Sequence, residues 1–101
     1  MNESRYSNAY QFFAGYFHQD FSREFSQPED AVEKFIAENP KTMRALALKD
    51  LRDILAQYDG EALDGLILEL GCYYSPMKHR RVPTAQWLSG VAEMLENSLS
   101  N

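Results

Sequence analysis

Apolar residues recur along this chain at steps of three and four, the spacing that lines one face of a helix. Tyr6, Tyr10, Phe13 and Phe17 share such a face, and Phe12 and Tyr16 broaden it. A first helix this aromatic must dock against something. A second helix has clear boundaries. Ser26 and Glu29 match a capping box, Pro28 is tolerated in the first turn, and Glu29 and Asp30 suit the positive end of the helix dipole. Its face of Ala31, Val32, Phe35 and Ile36 points to the core. Asn39-Pro40 ends it and opens the next helix, with Asn39 as cap and Pro40 at the first helical position.

The third helix carries the longest stripe: Met43, Leu46, Ala47, Leu51, Ile54, Leu55 and Tyr58. Lys41, Arg44, Lys49, Arg52 and Asp53 fall largely off it. Gly60 supplies a stop, because glycine accepts the left-handed conformation that closes many helices. Leu63, Leu66, Ile67 and Leu70 form a short fourth helix that ends at Gly71. Residues Cys72 to Pro83 read as a loop bounded by Ser75-Pro76 and Val82-Pro83. Thr84 caps a fifth helix bearing Trp87, Leu88, Val91 and Leu95. No segment alternates long enough to argue for a sheet. The pattern predicts an all-α fold, a compact single-domain bundle of about five short amphipathic helices. One domain spans residues 1–101, with ends frayed at about 1–4 and 98–101.

Composition adds bounds. A chain of 101 residues can bury about two-thirds of its unfolded surface, enough to fold without a staple. The lone Cys72 excludes an internal disulfide and a multi-cysteine zinc site. A polar N-terminus with no apolar core after it points to a cytoplasmic protein. The net charge of −5 repels nucleic acid and attracts a basic protein, although mild acidity also serves solubility alone.

Candidate chemistry is sparse. Cys72 and His18 form the one conceivable nucleophile–base pair, if the fold brings them together. Otherwise Cys72 is a small buried apolar residue and His18 caps the end of the first helix. Two histidines make a dedicated metal site improbable, and the scattered glycines match no nucleotide fingerprint. We therefore expect no catalytic residue, no cofactor and no metal. Asp50 with Asp53, and Glu61 with Asp64, sit three apart and read as solvated faces. The run Lys78-His79-Arg80-Arg81 is either an anion-binding patch or a solvated turn between two prolines.

Two strings are more specific. The first is Tyr16-Phe17-His18-Gln19-Asp20-Phe21, followed by Pro28-Glu29-Asp30-Ala31. The second is Glu69-Leu70-Gly71-Cys72-Tyr73-Tyr74-Ser75-Pro76, followed by Trp87-Leu88. In order and spacing the chain resembles, from about Tyr10 to Leu95, the immunity proteins of contact-dependent growth inhibition systems. The resemblance implies a compact helical protein in the cytoplasm of a Gram-negative bacterium. It would bind and neutralise the C-terminal toxin domain delivered by neighbouring cells, often by covering an active site. Many such toxins are nucleases with a positive substrate cleft, which an acidic protein could occupy. The resemblance also implies that Tyr16, Phe17, Gly71, Cys72, Tyr73 and Trp87 build the shared scaffold, with Tyr73 and Tyr74 open as exceptions because amphipathic aromatics often anchor interfaces, while variable surface residues meet the toxin.

The toxin-binding candidates are Asp20 and Glu24 after the first helix, Asp59, Glu61 and Asp64 around the Gly60 turn, and Tyr74 as an aromatic anchor. Neither direct nucleic-acid nor membrane contact is expected. The alternative is a small cytoplasmic adaptor or regulatory protein-binding module unrelated to toxins.

Overall fold

The computed structural model describes residues 5–100. Among them lie seven helices and no strand: α1 Ser7–Tyr16, α2 Phe21–Glu24, α3 Pro28–Glu38, α4 Lys41–Gln57, α5 Gly60–Glu69, α6 Pro76–Arg80 and α7 Thr84–Leu99. The five longer helices are those that the apolar spacing predicts. The two short ones, α2 and α6, lie in segments too brief for periodicity to register. The expected fraying at residues 1–4 falls outside the described residues, and α7 continues to Leu99.

The core gathers one stripe from each long helix. Tyr6, Ala9, Phe12, Phe13 and Phe17 meet Val32 and Phe35 of α3, Leu51 and Ile54 of α4, Leu63 and Leu66 of α5, and Leu88, Val91 and Leu95 of α7. The last helix packs most extensively on α4 and also touches α3, α5 and α6. No isolated helix of these lengths would persist in water, so the shared burial holds them. The result is compact, with a radius of gyration of 12.3 Å.

The stripes differ from the predicted ones in two places. Tyr10 is exposed, and Ala9 takes its place against the core. On α4, Leu46 is exposed and Met43 only half-buried, whereas Asp50 is buried. Asp50 is thus not on a solvated face. Its Oδ2 accepts the N–H groups of Asn8 and Ala9 at 3.0 and 3.1 Å. These are first-turn amides of α1, which has no cap from its own neighbouring residues. A carboxylate supplied from α4 does the work of a local cap and favours the positive helix end.

The helix ends bring further corrections. Gln27 precedes α3, with Pro28 and Glu29 opening it, so the capping box does not form. Ser26 instead donates to Asp30 at 3.2 Å, and Glu29 reaches toward α6. Asn39 caps backward, its amide donating to the Phe35 carbonyl at 2.9 Å, rather than capping α4. Arg44 then gathers the carbonyls of Asn39 and of Ser98, at 3.1 and 3.0 Å, placing a cation where helix carbonyls run out. Thr84 does not cap α7. Its hydroxyl donates to Asp64 of α5. Gly60 takes the left-handed conformation, at φ +52°, but it does not close α4: that helix ends at Gln57 with an extended Tyr58 after it, and Gly60 is the first residue of α5.

The segment 72–83 is not simply a loop. Ser75 caps a helical turn, accepting from the Lys78 amide at 3.3 Å, and Pro76 sits at its first position. Arg81 closes this turn at φ +56°, and its N–H returns to the Met77 carbonyl at 3.1 Å.

Candidate protein-binding surface

The two strings singled out in the sequence meet in space. Helix α5 ends in a Schellman arrangement, in which the Gly71 amide bonds the Leu68 carbonyl and the Cys72 amide bonds the Ile67 carbonyl, at 3.0 and 2.9 Å. Gly71 holds φ +96°, and a Cβ there would stand 2.9 Å from the Cβ of Ala14. Only glycine lets the end of α5 lie this close to α1. Two residues on, the Tyr73 amide donates to the Phe17 carbonyl at 2.7 Å. The chain after α5 is therefore fastened to the end of α1 by a close approach and a hydrogen bond.

Side chains continue the connection. Phe17 packs against Phe21 at 5.2 Å, edge-on to Trp87 at 5.4 Å and near Tyr74 at 6.3 Å. Tyr74 in turn meets Phe21, Trp87 and the His79 ring, the last stacked at 5.1 Å. Tilted and edge-on aromatic pairs add to what area burial contributes. The Tyr74 side chain is 5% exposed and Tyr73 beside it 57%. Burial pushes the Tyr74 phenol above its ordinary pKa.

This aromatic hub lies beneath two surface grooves. One, of about 470 Å³, runs between α2 and α6 and is lined by His18, Phe21, Phe25, Tyr73, His79 and Arg80, among others. The second, of about 390 Å³, lies between α5 and α6 and includes Asp64, Leu68, Tyr73, Ser75, Lys78 and Thr84. Tyr73, Tyr74 and His79 border both, so they form the ridge between them.

The basic run is only partly free. Arg80 grips both carboxylate oxygens of Glu29, at 2.9 and 3.1 Å, and also bonds Gln27. That fork ties α6 to the start of α3 and raises the arginine's already high pKa. His79 uses Nδ1 on the Ser75 carbonyl at 2.8 Å. Thus two members of the cluster hold α6 in place.

The Cys72–His18 pair does not assemble. The Cys72 thiol is buried, donates to the Tyr74 carbonyl at 3.4 Å, and is pushed up to about 12 by burial. A thiol in that state is not a nucleophile at neutral pH. His18 spends both nitrogens elsewhere: Nδ1 accepts the Asp20 amide at 3.0 Å, which places the ring proton on Nε2, 3.1 Å from Glu24. It bonds forward across α2, rather than back to the carbonyls of α1. Among the described residues no cluster of His, Cys, Asp and Glu could hold a metal ion. Nor is any of their helices long and apolar enough to cross a membrane.

A family profile described as CdiI immunity protein matches residues 5–95. The chain belongs to the CdiI immunity protein family. No curated protein and no solved structure matches it. Membership of this family points to a toxin-neutralising role, and the matched span contains both strings and Trp87. Those strings fasten the scaffold of this CdiI protein: Phe17, Gly71, Cys72 and Trp87 are spent on packing.

The sequence-derived candidates fall into separate places. Asp20 precedes α2 and Glu24 is its last residue; both are exposed, with Glu24 bonded to His18. Asp59 and Glu61 are exposed at the start of α5, where neither has a cationic partner among the described residues. Asp64 borders the second groove and accepts from Thr84. Tyr74 lies inside, in the ridge between the grooves. Periodicity gave no reason to single out Leu68 and Met77, which are exposed at 56% and 50%. The available signal was that Leu68 breaks the apolar spacing of α5 and Met77 interrupts a polar segment.

Proposed function

We propose that this CdiI immunity protein works in the bacterial cytoplasm, capturing one contact-delivered toxin domain in a stable complex and covering its active site. The toxin is a nuclease. The match to the immunity family over residues 5–95 carries the reading. Two features support it. The net charge of −5 suits a partner that itself binds nucleic acid through a basic cleft. Exposed carboxylates without cationic partners, such as Asp20, Asp59 and Glu61, leave negative potential for that partner. Inhibition by capture needs no reactive group, which fits a thiol held protonated and a histidine engaged on both nitrogens.

The test is genetic and direct. A large secreted protein should be encoded beside this chain, and its C-terminal region should arrest growth when expressed alone and be harmless when co-expressed with it. Cys72→Ser should protect as well as the unaltered chain. Arrest that persists despite co-expression would end the immunity reading. Loss of protection on Cys72→Ser, with the protein still folded, would point to chemistry at the thiol instead.

A further inference from the structure

Among the described residues, five large apolar side chains are exposed: Tyr10, Leu46, Leu68, Tyr73 and Met77. The first two lie on α1 and α4. The other three fall within ten residues of one another, and two of them border a single groove. Leu68 and Tyr73 line the groove of about 390 Å³, and Met77 lies on α6, whose Pro76 and Lys78 line it too. Exposed apolar side chains gathered in one place mark interaction sites more often than scattered ones do.

The backbone under this patch is unusually well held. The Tyr73 amide is bonded to Phe17, Gly71 abuts Ala14, and α6 is latched to α3 through Arg80 and Glu29. Tyr73 is therefore offered on a fixed support, which lowers the ordering cost of binding. Tyrosine is also among the residues that most often dominate an interface.

Charge indicates what docks there. Glu61, Asp64 and Leu68 follow one another at steps of three and four, so they share the outward face of α5. Asp59 precedes them at the helix start. Asp64, Leu68 and Tyr73 line one groove, in which Lys78 is the cation, so a strip runs from carboxylates to apolar side chains and reaches Tyr73. Such a strip complements a protein surface whose cationic rim adjoins an apolar recess.

We infer that the toxin domain docks on this strip, with Tyr73 and Leu68 seated in its recess and Glu61 and Asp64 against its basic rim. The inference rests on the toxin-capture reading above and gives that capture a location. Tyr73, rather than the buried Tyr74, is the anchor, and Asp20 and Glu24 lie across the ridge from the centre of contact.

Calorimetric titration against the purified toxin domain from the neighbouring gene tests this. Tyr73→Ala and Leu68→Glu, each checked by circular dichroism for an unchanged helical spectrum and melting point, should weaken binding by about 30-fold or more. Leu46→Glu, on α4, should bind like the unaltered chain. If both strip variants bind within about twofold of it, the location is wrong while capture stands. If the Leu46 variant loses as much as they do, the location is likewise wrong. If the unaltered chain does not bind at all, capture and location fall together.

Discussion

Asp50 occupies a position on α4 where its neighbours Ala47, Leu51 and Ile54 are all buried. A carboxylate can sit there because two α1 amides satisfy it. Replacing it with alanine strands those amides, which should cost about 1–3 kcal/mol. Urea unfolding should show a lower midpoint at unchanged slope, with Asp50→Asn falling between the two. Cys72 makes a second prediction. Its thiol is held at about 12, against an ordinary value of 9.0, so the folded protein keeps it protonated where the unfolded chain ionises. Stability from this group is full below about pH 9 and is lost as pH climbs toward about 12. Iodoacetamide at pH 8 should label Cys72 only after denaturant is added. Prompt labelling of the native protein would contradict its burial. Sequence spacing could identify a buried cysteine, but not a buried aspartate. The partner amides of Asp50 lie more than forty residues away, and no local rule connects them.

The long helices were legible because burying one face of a helix imposes a period that the sequence must obey. Their ends were less so. Ser26, Asn39 and Thr84 are all good cap residues, and each found a different partner in the folded chain. The helical turn α6 is shorter than any window in which period can be read. Two of the helix closures make opposite predictions. Gly71 combines positive φ with contact against Ala14, so Gly71→Ala meets both backbone strain and a clash. It should destabilise by about 2–4 kcal/mol, seen as a drop in melting temperature. Arg81 holds φ +56° with a side chain that ought to avoid it, so Arg81→Gly should stabilise by about 0.5–1 kcal/mol. No gain for Arg81→Gly would mean that its side chain makes compensating contacts.

At the scale of the whole molecule, charge was readable from composition while the proposed docking surface was not. Exposed acids lie on α3, α4 and α7 as well as on α2 and α5, and what distinguishes the α5 strip is its apolar neighbours. Leu68 and Tyr73 come to line one groove only once Gly71 has turned the chain back against α1. Attraction between an acidic body and a basic toxin should act chiefly on the rate of encounter. Reversing Asp59 and Glu61 together to lysine should slow association by about tenfold at low salt. It should also flatten the dependence of that rate on ionic strength. A rate indifferent to both would mean that steering plays no part.

Capture and turnover differ most plainly in stoichiometry. A fixed amount of toxin domain, assayed for its own activity, is titrated with the purified chain. Activity should fall in a straight line and reach its floor at one chain per toxin. Loss of activity at a small fraction of an equivalent would show that the chain acts catalytically. Full activity at many equivalents would show that it is not this toxin's inhibitor.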